Sequence, residues 1–277
     1  MNINKILRES EDDSIFVNSD IFNPKYTPEN IEYRDEELKQ IILNVKPLLN
    51  HKKSTNTIII GNPSTGKTTV MKKALIAIEE NTNIPVCYLN CNIQNTKRKC
   101  YMELFRNLTQ YKLKPNISTE SLNNIIMEKL EKEPMIIAID DANYLPPNEA
   151  NSFLNEILRI HEYYNSDLCL FIIINSLEFK YSLEKNVSAV FVGEEIYFKE
   201  YTKEEVFNIL KKRCSLGFRE GCITDDQITL ISNKCHETGN IRLALTILNQ
   251  IGKKADKLNE DIISDHIIET VLSKYNK

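Results

Sequence analysis

The sequence predicts an α/β fold of three layers, in which helices cover both faces of a five-stranded parallel sheet and a small all-helical lid domain follows. Short apolar runs alternate with amphipathic stretches as far as Tyr201, and beyond it only amphipathic stretches occur. A glycine-containing octapeptide, Gly61-Asn62-Pro63-Ser64-Thr65-Gly66-Lys67-Thr68, lies between a β-branched run and a helical one. At 277 residues the chain can bury one large core or two smaller ones. The change of pattern divides it into an α/β domain at 1–200 and a helical domain at 201–277.

The first strand is Thr57-Ile58-Ile59-Ile60, a buried β-branched run. The helix after the octapeptide carries Val70, Ala74 and Ile78 at i, i+4 and i+8. Strand, glycine loop and helix in this order match the phosphate-binding pattern G-x-x-x-x-G-K-[ST]. Gly61 and Gly66 permit close backbone approach, so successive N–H groups can point at phosphate oxygens, and the helix N-terminus adds its partial positive charge. The expected ATP-binding set is Gly61, Asn62, Pro63, Ser64, Thr65, Gly66, Lys67, Thr68 and Thr69. Lys67 is expected at the β- and γ-phosphates, and the Thr68 hydroxyl on Mg²⁺.

Val86 to Asn90 reads as the second strand. Met135 to Asp140 is the third and delivers two carboxylates at its C-terminal end, Asp140 as a Mg²⁺ ligand and Asp141 to orient or deprotonate the attacking water. Leu168 to Asn175 is the fourth, with a polar side chain at its tip, and Glu195 to Lys199 is the fifth. Beyond Tyr201, helices are expected over Glu204–Arg213, Asp225–Cys235, Asn240–Ala255 and Glu260–Tyr275.

Composition narrows the class. A net charge of −4 and a pI near 5.7 argue against DNA binding through a generally basic surface, so any nucleic-acid contact must be local. No apolar run approaches a membrane span, and the polar start Met1-Asn2-Ile3-Asn4-Lys5 is not a signal peptide, so a cytoplasmic, nucleoid-associated location without membrane contact is expected. Seven scattered cysteines read as reduced core thiols. Cys214, Cys222, Cys235 and His236 match no usual zinc spacing.

With these elements in place, the chain resembles the AAA+ ATPases. Asn175 resembles their sensor 1, an amide near the γ-phosphate at the tip of a strand that in such ATPases lies between the two phosphate-site strands. Arg242, in Thr238-Gly239-Asn240-Ile241-Arg242-Leu243-Ala244-Leu245, resembles sensor 2, whose guanidinium reaches the γ-phosphate from the lid. Within the AAA+ class, Ser14-Ile15-Phe16 followed by the box from Phe22 to Glu37 looks like the opening of the archaeal and eukaryotic origin-recognition and replication-licensing initiator family. The match continues through Tyr88-Leu89-Asn90-Cys91, Asn95-Thr96, Ile196 to Thr202 and the Arg242 helix. In that family the opening box lies over the adenine, which implies Tyr26 and Arg34 as base-side residues.

The resemblance implies an ATP-dependent initiator that marks origins and helps recruit the replicative helicase, acting beside a full-length initiator relative. It also implies double-stranded DNA contact through an insertion after the second strand, where Lys97, Arg98, Lys99 and Arg106 fall. Three departures from the family pattern stand out. The sequence given stops at Lys277, before the winged-helix domain that family members usually carry. Asn186, with Lys185 beside it, stands where an arginine finger is expected, and Asp141 stands where many such ATPases carry Glu. Together they imply ATP binding with slow hydrolysis. The competing reading is a regulatory AAA+ ATPase of transposition or defence type that acts through protein partners.

Overall fold

The computed structural model describes residues 14–50, 52, 54–109, 116–160, 167–191 and 193–275. These pack as two compact units, one built from 33–199 and the other from 14–32 with 200–275.

The first unit runs α1 (Asp35–Leu49), β1 (Thr57–Ile60), α2 (Lys67–Asn81), β2 (Val86–Asn90), α3 (Lys97–Leu108), α4 (Thr119–Lys132), β3 (Met135–Asp140), α5 (Pro147–Leu158), β4 (Leu168–Ile174), the short α6 (Leu177–Ser182) and α7 (Lys185–Ser188), and β5 (Glu194–Tyr197). All five strands are parallel, in the order β2-β3-β4-β1-β5. The three inner strands are buried along their whole length because helices cover both faces, and their sequences are correspondingly unbroken apolar runs. β2 lies at one edge and alternates between buried and half-buried positions, so its polar residues Tyr88 and Asn90 share a face. β5 lies at the other edge and buries only Ile196. The fourth strand ends one residue before Asn175, and the fifth begins one residue before Glu195.

Register then decides what meets at the C-terminal ends of the strands. Asn90 pairs with Asp140, Ile139 with Ile172, and Ile60 with both Ile174 and Tyr197. The ends of β2, β3, β4 and β1 therefore open side by side on one rim, where loops of an α/β sheet carry function.

The second unit holds α8 (Lys203–Gly217), α9 (Asp225–Thr238), α10 (Ile241–Leu258) and α11 (Asp265–Leu272). Thr202 with Glu205, and Thr224 with Gln227, form reciprocal capping boxes that start α8 and α9. Gly239 at φ +61° ends α9, and the Asn240 side chain caps α10 by accepting from the Leu243 N–H. Val206, Leu210, Ile231, Leu248, Ile251 and Ile267 form the core.

The segment 14–32 belongs to this second core, although its sequence position places it ahead of the α/β domain. Phe16 bridges to Phe218, Arg219 N–H donates to the Ile15 carbonyl at 2.8 Å, and Val17 N–H donates to Gly217 at 2.9 Å. Asp256 accepts from the Ser14 hydroxyl at 2.7 Å and from the Ile15 N–H at 2.8 Å. The cause is apolar: Ile15 and Phe22 are fully buried in the helical core, and the rings of Phe16, Phe22 and Phe218 cluster with centroids 4.4 to 5.9 Å apart.

Among the described residues no helix is long and apolar enough to cross a membrane, and no group of three or more His, Cys, Asp or Glu side chains is gathered for a metal. Cys214, Cys222 and Cys235 are buried thiols of the helical core.

Candidate nucleotide site

The loop between β1 and α2 is shaped by two different glycine requirements. Gly66 has φ +94°, a left-handed conformation that L side chains rarely adopt, and it stands at the N-cap of α2 without a side-chain cap. Gly61 is needed for space, because a Cβ there would lie 2.5 Å from the Phe198 carbonyl oxygen and 2.9 Å from the Phe198 Cβ. Ser64, at φ +69°, completes the reversal of the chain. The Thr65 hydroxyl donates to the Asn62 carbonyl at 2.8 Å and closes the loop on itself.

Lys67, almost wholly buried, bends back over the loop, and its Nζ donates to the carbonyls of Gly61 at 2.5 Å and Asn62 at 2.8 Å. Asn62 and Pro63 are exposed, and Thr68 and Thr69 are half-buried in the first turn of α2. The nine residues expected from sequence thus form one cradle at the N-terminus of a 15-residue helix.

Beside it stands the carboxylate pair. Asp140 is fully buried, and its Oδ2 accepts both the Thr68 hydroxyl at 2.7 Å and the Tyr88 phenol at 2.6 Å. Its Oδ1 accepts the Asp141 N–H at 2.8 Å. Burial pushes the Asp140 carboxyl above its ordinary range, while donation from Tyr88 and Thr68 pulls it down and the neighbouring Asp141 charge pushes it up. Burial, and then the Asp140 charge, pushes the Tyr88 phenol well above its usual value, so Tyr88 donates throughout the physiological range. Asp141 adopts a left-handed backbone at φ +55°, and its Oδ2 accepts the Asn90 amide at 3.0 Å.

The Thr68 hydroxyl and the Asp140 carboxylate form a hard-oxygen pair at the helix N-terminus, a donor set that suits Mg²⁺ bound together with phosphate oxygens. The Asn175 N–H donates to the Asn143 side-chain oxygen at 3.2 Å, which fixes the turn leaving β4.

Tyr88, Asn90 and Asn143 touch the expected site residues without having been singled out for the site. The available signal for the first two was their period-2 spacing: polar residues at alternate positions of an otherwise apolar strand share one face. Asn143 had no signal, since it acts from a 3₁₀ turn that follows the carboxylates.

The remaining expected residues lie as follows. Arg34 is buried, and its Nε donates to the Thr65 carbonyl at 3.0 Å. Tyr26, in the helical unit, has the Arg213 guanidinium 4.9 Å from its ring centre. Arg242 is exposed in the first turn of α10. In α3, Lys97 pairs with Glu156 at 2.5 Å and Arg98 donates to the Ile117 carbonyl at 2.8 Å, whereas Lys99 and Arg106 are exposed, beside Asn95 and Glu103 respectively. Asn186 turns its side-chain oxygen to the Val187 N–H at 3.0 Å, and its carbonyl accepts Arg159 Nη2 at 3.3 Å. Lys185 opens the same short helix.

Comparisons with known proteins agree with this architecture. Residues 50–181 match the AAA domain model, and 207–271 match the Cdc6 AAA+ ATPase-type lid domain. ORC1-type DNA replication protein 2 of Methanothermobacter thermautotrophicus is 32% identical over 267 residues, covering 94% of this chain and 70% of that protein. The protein of the same name from Archaeoglobus fulgidus is 26% identical, covering 97% and 72%. The crystal structure of Cdc6p from Pyrobaculum aerophilum superposes with a TM-score of 0.84 at 22% identity, covering 94% of this chain and 72% of that one. The Aeropyrum pernix ORC1 protein in complex with DNA superposes with 0.85 at 22% identity, covering 96% and 71%. Sheet order, phosphate loop and lid therefore sit in a chain whose sequence kinship extends through both units: it belongs to the family of ORC1-type DNA replication proteins.

Proposed function

We propose that this chain is an ATP-controlled AAA+ switch of DNA replication initiation, which holds ATP with Mg²⁺ at the phosphate loop and turns it over slowly. The observation that carries the reading is the cradle with its oxygen pair: main-chain N–H groups at the start of α2, the Lys67 ammonium folded over the loop, and Thr68 hydrogen-bonded to buried Asp140. Mg²⁺, when bound, would neutralise phosphate charge. Lys67 would exchange its loop carbonyls for phosphate oxygens, Thr68 and Asp140 would hold the metal, and Asp141 would orient the attacking water while Asn175 polarised it.

Slow turnover follows from what these residues do. Asp141 is short and is held by Asn90, and Asn186 stands at the arginine-finger position, where the Arg159 guanidinium is engaged by the Asn186 carbonyl at 3.3 Å. An arginine in that role is worth roughly 10³ to 10⁵ in rate in other nucleotide hydrolases.

Arg242 is the γ-phosphate sensor of the helical lid domain. Its position supports this, because a cation in the first turn of a helix faces the positive end of the dipole and costs about 0.3–1 kcal/mol unless an anion compensates it. Tyr26 serves the base. The switch acts on double-stranded DNA together with a full-length initiator relative; the similar Aeropyrum pernix ORC1 protein is described in complex with DNA. On α3, Lys99 and Arg106 are seven residues apart and share the exposed face, while Lys97 and Arg98 anchor the helix. Two phosphate contacts give a salt slope of only about −2, so this helix contributes weak, non-specific affinity.

The test is calorimetric titration of ATP with Mg²⁺ into the wild type and into Lys67→Ala. Binding by the wild type and its loss in a folded Lys67→Ala protein is expected. Equal affinity in the two would remove the nucleotide assignment.

A further inference from the structure

Arg34 makes a set of contacts that no nucleotide role requires. Its side chain is 5% exposed, and each guanidinium nitrogen is engaged within the α/β unit. Nε donates to the Thr65 carbonyl in the phosphate loop at 3.0 Å, and Nη2 donates to the Lys199 carbonyl at 2.5 Å. Nη1 donates to Glu37 at 3.1 Å and to the Tyr33 carbonyl at 3.3 Å, and the guanidinium carbon lies 5.5 Å from the centre of the Phe198 ring. Tyr33 has φ +61°, a left-handed conformation that a tyrosine adopts only at a cost, and this bend delivers Arg34 into the interior.

The positions joined in this way are informative. The chain passes between its two units twice, at 32–33 and at 199–200. Arg34 lies one residue beyond the first crossing, and the carbonyl it bonds at Lys199 is the last before the second. Phe198, whose ring underlies the guanidinium, also abuts Gly61 at the start of the phosphate loop. One planar cation thus joins the loop that meets the phosphates to both strands of chain leading to the helical unit.

We propose that Arg34 is a positioning residue that locks the phosphate loop to the two chain crossings, so that nucleotide at the loop is felt in the segment entering the helical unit. This rests on the nucleotide reading above and adds to the base-side place that resemblance implied for Arg34. Only a fork-shaped donor does this: a lysine places a single point charge and cannot span carbonyls on opposite sides. The lock restrains the Thr65 carbonyl, so the loop N–H groups stay aimed at the phosphates, and any displacement of the loop pulls on Lys199.

The experiment compares wild type, Arg34→Lys and Glu37→Gln by ATP titration and by hydrogen exchange with and without saturating ATP and Mg²⁺. In the wild type, ATP should slow exchange both in the loop at 61–69 and in the segment at 200–206. Arg34→Lys should bind ATP about tenfold more weakly, equivalent to about 1.4 kcal/mol. At saturation its loop should regain protection while 200–206 no longer responds. Glu37→Gln, which keeps both carbonyl bonds, should behave as wild type. A wild-type response at 200–206 in saturated Arg34→Lys overturns the proposal even though ATP binds. Failure of the wild type to bind ATP overturns the nucleotide reading itself, and the proposal with it. If Arg34→Lys does not fold, Phe198→Leu, which removes the ring beneath the guanidinium, takes its place: a weakened response supports the lock and a full one refutes it.

Discussion

Gly61→Ala isolates a steric requirement of the phosphate loop. The backbone at Gly61 is not in the left-handed region, so alanine is conformationally acceptable and the entire effect comes from one methyl group. That Cβ would stand 2.5 Å from the Phe198 carbonyl oxygen, 2.9 Å from its Cβ and 3.1 Å from Thr65 Oγ1. Neither wall can yield easily. Ile60 is paired with β4 on one side and β5 on the other, and Phe198 N–H donates to the Ile60 carbonyl at 2.7 Å. Overpacking of this kind costs about 1–3 kcal/mol, divided between the fold and the loop geometry. If it falls on the loop, ATP affinity drops by roughly 5- to 150-fold. If it falls on the fold, the melting temperature drops by about 2–4 °C per kcal/mol for a chain of this size. Titration calorimetry and thermal melting together capture both terms. Because the nearest atom is main chain, truncating the neighbour through Phe198→Ala should give no rescue. A Gly61→Ala protein with wild-type affinity and wild-type melting would refute the steric argument.

Gly252→Ala sets helix propensity against packing: alanine favours a helix by about 1 kcal/mol over glycine, but the new Cβ would lie 2.2 Å from Phe16 Cζ. Phe16 is held by its bridge to Phe218 and by neighbouring rings, so urea denaturation should show net destabilisation of about 1 kcal/mol, reversing to stabilisation in a Phe16→Ala background. The buried thiols are expected to resist alkylation at pH 8 in the folded protein, since burial pushes Cys235 up to about 11 and Cys87 and Cys169 up to about 12. Unfolded thiols ionise near 9 while the folded ones stay protonated, so stability measured by urea denaturation should decline as pH rises above about 9. Rapid labelling of the native protein would contradict the burial on which both expectations rest.

How far the sequence disclosed this molecule depended on whether the relevant signal was local. Strands β1, β2 and β3 have the expected bounds because each is a short apolar run ended by glycine or by polar residues, and buried parallel strands need little else. The glycine loop was legible for the same reason, since its chemistry lies in consecutive residues. The packing of residues 14–32 was not legible. Its evidence is long-range, in the fit of Phe16 over Gly252 and of Phe22 over Gly217, and neither a glycine in the middle of a helix nor one at its end discloses which ring will cover it. Arg34 shows the intermediate case, where the residue stood out within a motif but its partners at Thr65 and Lys199 were set by the fold.

The same distinction explains why the buried Asp140 carboxylate is held by a phenol from another strand. Asp140 ends a fully buried strand, where an ionised carboxylate is costly unless donors converge on it. The residue after its strand supplies the Asp141 N–H, and the first turn of α2 supplies the Thr68 hydroxyl. The parallel register puts Asn90 beside Asp140, which brings Tyr88, two residues earlier on the same face, within reach of Oδ2. Lys72, one turn after Thr68 on α2, sets its ammonium 5.0 Å from the centre of the Tyr88 ring. Asp140 is thereby fixed from three directions, by its own backbone, by the first turn of α2 and by the edge strand. Tyr88 reaches Asp140 because the sheet order places β2 next to β3, a relation that no contiguous motif encodes.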